Sequence, residues 1–361
     1  MELGLTETQL MLKESLAKLL AANVGHDRLR QLQSAGVADD LLWSRLADGG
    51  WLALPVPESR GGGDATLMDI AVAVEEIARS AAVVPVAETY ACAAAVGRYG
   101  TEEAQAAIGA GLANGSMSLT AAVLRGDGND ADGGGCVTDG RLTGRKRFVD
   151  YGQTCTHHLV TASGDGRQGV YLVRVAPGEV ESEALANIGQ TPQANVRYER
   201  AAAVHAGGPE CAAELVRLST LLCSVQLLAY ADFALNLTVG YVSNRFQFGR
   251  PLGAFQAVQH HCADMATAVE QARFLIYEAL WKLQHGTAQP DDIALAKAVA
   301  SRTGVFVTMQ AHQLHGGMGV TDEYPLHFYS RRAKERSVAW GSEHESLAVL
   351  AESVDAAVEW I

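Results

Sequence analysis

Cysteine is scarce in this sequence: 6 in 361 residues, with no C-x-x-C pair. That excludes a small disulfide scaffold and leaves Cys92, Cys136, Cys155, Cys211, Cys223 and Cys262 as buried or surface thiols. Charge is sparse as well, at 19% of residues against 48% hydrophobic, with a mean hydropathy of +0.04. Intrinsic disorder needs the opposite balance. Positive charge is the scarcer sign, 28 Lys and Arg facing 41 Asp and Glu for a formal net charge of −13. So acidic a chain is a poor general binder of nucleic acid or anionic lipid, although Arg and backbone N–H groups can still hold an anion locally. No window reaches the roughly 18 uncharged apolar residues of a membrane span. The start, Met1-Glu2-Leu3-Gly4, has no basic lead into an apolar run, so no signal peptide is expected. These absences predict a soluble cytoplasmic protein, and the length predicts two or three domains.

The pattern along the chain changes twice. Thr6-x-x-Gln9 has the spacing of a helix capping box, and Leu12, Leu16, Leu19 and Leu20 follow at helical period. A helix from Asp39 to Ala47 should stop at Gly49-Gly50. After the loop Leu54 to Gly63, Ala65 to Ala82 and Val86 to Tyr99 read as long Ala-rich helices. From Met117 to about Val204 short apolar runs alternate with turns such as Asp139-Gly140, which predicts strands. Within it, Gly126 to Gly135 is a Gly/Asp stretch that reads as a mobile loop. Helical period then returns over Glu210 to Gly240, Phe255 to Gln284 and Asp291 to Leu314, lengths suited to a bundle. The division expected is a helical domain over 1–116, a small β domain over 117–204 and a helical bundle over 205–361.

Chemistry-bearing residues cluster at the ends of the bundle helices. Arg245-Phe246-Gln247-Phe248-Gly249-Arg250-Pro251 follows one, Phe255-Gln256 opens the next, and Gln313-Leu314-His315-Gly316-Gly317-Met318-Gly319 closes a third. Arg offers a fork of donors that suits phosphate, and clustered Gly lets backbone approach a ligand. The order Arg-x-x-Phe-Gly-x-Pro, Phe-Gln, Ala263-Asp264-Met265, Gln-x-x-Gly-Gly-x-Gly and Thr321-Asp322-Glu323-Tyr324-Pro325 resembles the acyl-CoA dehydrogenase family. Leu42-Trp43 through Pro57-Glu58 to Gly61-Gly62, and Gly144-Arg145-Lys146-Arg147-Phe148-Val149, extend the resemblance over nearly the whole chain. It implies an α+β, mainly α fold: an N-terminal helical domain, a small middle β domain and a C-terminal four-helix bundle, assembled as dimers or dimers of dimers with FAD between subunits. It further implies that Arg245, Phe248 and Gln256 touch a neighbour's FAD, that Gln313, Gly316 and Gly317 line its ADP half, and that Ser342 lies at the flavin. The family reaction is α,β-dehydrogenation of an acyl-CoA thioester, in which a Glu removes the α-proton and a flavin takes the hydride.

The resemblance fails at the base. The family Glu usually precedes a Gly-Thr/Ser pair near the C-terminus, and here that position is Trp340, before Gly341-Ser342. Indole is a donor only. Some members carry the Glu on the first bundle helix, where this chain has Ser219 followed by Thr220. Glu343 and Glu345 lie nearby, but three residues along a helix is about 5 Å, beyond the reach proton transfer allows. They read equally as carboxylates favoured by a helix N-terminus. Where the family shapes its flavin pocket with Thr-Glu-Pro and a Gly-Ser-Asp loop, this chain has Leu119-Thr120-Ala121-Ala122-Val123. Where a family Thr donates to the flavin, it has Asp150, which when ionised donates nothing and opposes reduced flavin.

Three readings follow. The first is a non-catalytic partner in an α2β2 acyl-CoA dehydrogenase whose homologous subunit carries the Glu, like enzymes acting on steroid side-chain CoA thioesters, with an electron-transfer acceptor downstream. The second is a homo-oligomer with Glu343 as a relocated base. The third is a structural or regulatory member with no redox role. No metal site is expected: His312-x-x-His315 lacks a third ligand, and His157-His158 and His260-His261 are adjacent pairs that diverge. Gly109-x-Gly111-x-x-x-Gly115 lacks the spacing of a dinucleotide fingerprint, and Arg331 to Arg336 reads as a solvated face, with contact to an FAD or CoA phosphate as the minor option.

Overall fold

Helix α1, Glu7–Asn23, opens on the capping box its sequence spells: the Thr6 hydroxyl accepts from Gln9 N, and Thr6 N donates to the Gln9 side chain. The computed structural model describes residues 4–123, 135–164 and 167–357; most of the Gly/Asp stretch read as a mobile loop lies outside them. Next come α2, His26–Ala35, and α3, Asp40–Asp48, capped by Asp39 and ending at Gly49 with Gly50 at φ +73°. Then α4 spans Leu67–Arg79, shorter at both ends than its Ala-rich pattern suggested, α5 spans Val86–Tyr99 and α6 Glu102–Ala113. Gly109 and Gly111 sit inside α6, not in a strand-to-helix turn.

Seven strands follow: β1 Leu119–Ala122, β2 Cys136–Thr138, β3 Arg141–Asp150, β4 His157–Gly164, β5 Arg167–Arg174, β6 Val180–Ala184 and β7 Gln193–Gly207. Asp139 and Gly140, at φ +50° and +68°, make the two-residue turn between β2 and β3 that the Asp-Gly pair foretold. The ladder β4–β2–β3–β7–β5 closes on itself because β5 also pairs with β4; β1 adds to β4 and β6 to β7. Leu142, Val160, Val173, Ala194, Val196 and Tyr198 fill its interior.

The chain divides into two compact units: 1–26 with 67–82 and 220–361, and 27–66 with 83–219. The second holds the sheet with α3, α5 and α6. The first holds α1 and α4 together with the bundle helices: the greater part of α7, Pro209–Asn244, then α8, Gln256–Gln284, α9, Pro290–His315, α10, Leu326–Val338, and α11, Glu343–Ala357. Between α7 and α8 a two-stranded hairpin, β8 Phe246–Gln247 and β9 Arg250–Pro251, turns the chain.

A charge network ties α4 to the bundle. The Glu75 carboxylate is nearly fully buried and accepts from Arg79, from Arg273 Nη1 at 2.9 Å and from the Tyr277 hydroxyl at 2.7 Å. Asp232 on α7 pairs with the same two arginines. Helix α10 caps the far end of α4: Arg332 donates to Ala81 O and the Tyr329 hydroxyl to Arg79 O. This corrects the reading of Arg331 to Arg336 as a solvated face, since Arg332, Ala333, Glu335 and Arg336 are all buried. The C-terminal carbonyls of α4 attract the guanidinium. Helix α7 is long and apolar enough to cross a membrane by composition, but 78% of its apolar window is buried inside the protein, as a core helix requires.

Candidate functional site

The hairpin after α7 is shaped by two positive φ angles, Phe248 at +52° and Gly249 at +78°, the conformation a two-residue hairpin turn demands. Asn or Gly is the ordinary choice at the first of these positions, yet Phe is used, and it is 89% exposed. Phe246 beside it is 61% exposed. Arg245, at the root of the hairpin, is held by its backbone: its N–H donates to Tyr241 O at 2.9 Å and its carbonyl accepts from Leu252 N at 2.8 Å. Its side chain is exposed and makes no hydrogen bond or ion pair among the described residues. Gln256, the first residue of α8, is exposed likewise. Arg250 lies over the Phe255 ring, 3.9 Å from its centroid, and steadies the turn from the other side.

A second turn follows α9. Gly316 takes φ +57° and ψ −138°, open only to glycine, and a short 3-10 helix runs from it to Val320. Gly317 has an ordinary φ, and a Cβ there would meet nothing of this chain within 4 Å. No internal contact explains its glycine, whereas a ligand approaching from outside would. Gln313, one turn back, is exposed. The ring of His315 stacks on Tyr241 at 4.4 Å, so the ends of α7 and α9 meet.

The third feature joins residues 120 positions apart. The Thr220 hydroxyl donates to Trp340 O at 3.4 Å, bringing α7 at Ser219-Thr220 to the turn Trp340-Gly341. Trp340 sits at φ +56° and Gly341 at +99°. The Ser219 hydroxyl is buried with no hydrogen-bond partner among the described residues. Beyond the turn, Ser342 and Glu345 form a capping box at the start of α11: Ser342 N donates to the Glu345 carboxylate at 2.6 Å, and Glu345 N to the Ser342 hydroxyl at 3.2 Å. Sequence reasoning passed over this Ser-x-x-Glu signal. Glu343 is taken by Arg302, whose Nε and Nη2 both donate to Oε1, at 2.8 and 2.6 Å.

In the other unit, β3 carries a bulge between Lys146 and Val149, with Phe148 at φ +54° and 44% exposed. Asp150 is buried, its carboxylate accepting from Gln193 at 2.8 Å and its carbonyl from the Thr120 hydroxyl.

Comparison with known proteins shows the family. The model of the acyl-CoA dehydrogenase C-terminal domain matches residues 207–354, and that of the N-terminal domain residues 6–116. The chain belongs to the acyl-CoA dehydrogenase family. It is 34% identical over 320 residues to acyl-CoA dehydrogenase FadE27 of Mycobacterium tuberculosis, covering 84% of this chain and 85% of that protein. Among solved structures it superposes with a TM-score of 0.90 and 29% identity on the ChsE4–ChsE5 complex from Mycobacterium tuberculosis, covering 98% of this chain and 99% of that one. A Tcur3481–Tcur3483 steroid acyl-CoA dehydrogenase variant matches with the same score, identity and coverage. The architecture is that of the family, helical N-terminal part, middle β domain and C-terminal helical bundle.

Members of the acyl-CoA dehydrogenase family bind FAD. The exposed Arg245, unpaired among the described residues, and the open space beside Gly316 and Gly317 fit the anionic pyrophosphate half of that group. The middle domain fits the flavin ring less well, because buried Asp150 presents a carboxylate already satisfied by Gln193. Among the described residues no group of three metal-ligating side chains exists. His312 bonds to Ser330 and His315 to Tyr324, and His157 and His158 diverge, the latter buried against the Tyr198 hydroxyl at 2.8 Å. Burial pushes the thiols of Cys92 and Cys155 well above their usual range and Cys211 up to about 11, so none is a nucleophile at neutral pH.

Proposed function

We propose that this chain is the non-catalytic partner subunit of a heteromeric, FAD-dependent acyl-CoA dehydrogenase. The observation that carries this reading is the Thr220–Trp340 contact. It joins the two places where the family resemblance seeks a base, and they hold Ser219 and Trp340, neither of which accepts a proton at neutral pH. FAD, when bound, supplies the acceptor for the hydride that leaves the β-carbon of an acyl-CoA thioester. This chain's own part is binding. Arg245 offsets pyrophosphate charge, Gly316 and Gly317 let backbone N–H groups approach it, and Phe248, Gln256, Gln313 and Ser342 complete the surface offered to the cofactor. A homologous subunit in an α2β2 assembly would carry the carboxylate and pass electrons to an external acceptor. The steroid acyl-CoA dehydrogenase among the structural relatives supports a bulky steroid side-chain CoA thioester as substrate. The six cysteines are free, as a reducing compartment keeps them, which supports a cytoplasmic location. The division at 116 and 204 is proposed as the family's three segments.

A relocated base at Glu343 is the competing reading. Both Arg302 donors hold Oε1, which turns the carboxylate toward that guanidinium and leaves only Oε2 to take a proton. Flavin per chain in the protein purified alone separates the two. We expect near zero, and restoration on co-expression with a base-carrying homologue, with Arg245→Ala lowering the flavin content of the complex severalfold. One flavin per isolated chain, together with acyl-CoA oxidation abolished by Glu343→Gln, would establish the homomeric enzyme instead.

A further inference from the structure

We infer that His315 is a positioning residue for flavin binding: it pins the glycine turn after α9 to the arginine turn after α7, so that the two halves of the phosphate cradle hold one geometry. This rests on the reading above that Arg245, Gln313, Gly316 and Gly317 face the ADP half of FAD.

His315 is the last residue of α9, 3% exposed, directly before Gly316. Its Nδ1 lies 2.7 Å from Ala311 O, and a carbonyl only accepts, so Nδ1 carries the proton. Nε2 is therefore an acceptor and takes the Tyr324 hydroxyl at 2.8 Å. Burial depresses the affinity of His315 for a second proton and raises that of the Tyr324 phenol, so both bonds persist at neutral pH. The ring face stacks on Tyr241 at 4.4 Å and 27°. Tyr241 in turn accepts the Arg245 N–H, the bond from which the hairpin springs. One imidazole thus reaches the helix before the glycine turn, the loop after it, and the root of the arginine turn 70 residues away in sequence.

Leu or Phe would fill the same space. What imidazole adds is two directed bonds, both ending on segments that flank the glycines. The turn needs them, because glycine backbone has little stiffness of its own. His312 ties the last turn of α9 to α10, its Nε2 bonded to Ser330 at 2.8 Å. A binding surface whose parts come from two helix ends is only as good as the contact that registers them.

Hydrogen exchange on the full-length chain tests the pin without any cofactor. His315→Phe fills the same volume but deletes both hydrogen bonds that hold the ring plane against Tyr241; Tyr324→Phe deletes one hydroxyl and is the milder variant. In both we expect the amides of Gly316 and of Arg245 and Leu252 to exchange faster together, about 10-fold for His315→Phe, with α8 unchanged. Acceleration at Gly316 alone would overturn the pin. FAD titrated into the chain assembled with its base-carrying subunit then tests the purpose. Both variants should bind it 3- to 10-fold more weakly, and Arg245→Ala should weaken it without altering exchange. Coupled exchange with undiminished FAD affinity in His315→Phe would overturn the role in flavin binding. Unchanged affinity in Arg245→Ala would instead overturn the reading of the cradle and leave the exchange result standing.

Discussion

Phe248 is a residue working against its own conformational preference. A side chain at φ +52° costs about 1 kcal/mol, and at 89% exposure this chain returns little of it through packing. Asn tolerates that φ, so Phe248→Asn should leave the isolated chain as stable or up to about 1 kcal/mol more stable in urea, while the flavin content of the assembled protein falls. A destabilised isolated chain would mean that the Phe serves internal packing. His158 answers to pH. Burial pulls it down to about 4, from an ordinary value near 6.5. Above 6.5 both folded and unfolded forms are neutral there. Between 6.5 and 4 only the unfolded chain takes the proton, so stability falls as pH falls, by at most about 3 kcal/mol from this group. His158→Gln should reduce the difference between unfolding free energies measured at pH 7.5 and pH 5; an unchanged difference would assign the slope to other groups. Burial in the strand was not legible from His157-His158 beyond the rule that one of the two must face inward.

At the scale of elements, what could be read locally was read. Thr6-x-x-Gln9 and Asp139-Gly140 each decide their structure within four residues, and both formed as spelled. Ser342-x-x-Glu345 is just as local: one of the two carboxylates near the usual base position is the return half of a cap. The run Arg331 to Arg336 misled for the opposite reason. Charge on a helix is ordinarily solvated, and only the end of α4, brought against α10 from 250 positions away, makes burial of Arg332 tolerable. The Glu75 network is of the same kind, with charges contributed by α4, α7 and α8. Arg273→Ala removes one of two arginines from the nearly buried Glu75, leaving Arg79 and Tyr277 in place. With Arg273 itself 20% exposed, the loss should be about 2 kcal/mol, below that of a fully buried pair, read by urea unfolding. No loss would place the network among surface ion pairs.

For the whole molecule the decisive question is whether one substitution could make the chain an enzyme. Restoring a carboxylate with Trp340→Glu should give no acyl-CoA oxidation in the chain alone, because on the reading proposed above Asp150 and the segment Leu119–Val123 do not supply the donors that the family resemblance places at the flavin. The check is anaerobic bleaching of flavin absorbance after FAD and an acyl-CoA are added; bleaching by that single variant would show an active site intact but for its base.

By itself the sequence determined the family, the order of helices and strands and the hairpin turns, because periodicity, turn chemistry and motif spacing are properties of neighbouring residues. Only the tertiary structure decided that residues 220 and 340 meet, that Glu343 Oε1 pairs with Arg302, that a charged helix face is buried, and that His315 joins two turns. Each of these is a contact between segments far apart in the chain. Its energy depends on burial and direction, which no local pattern carries.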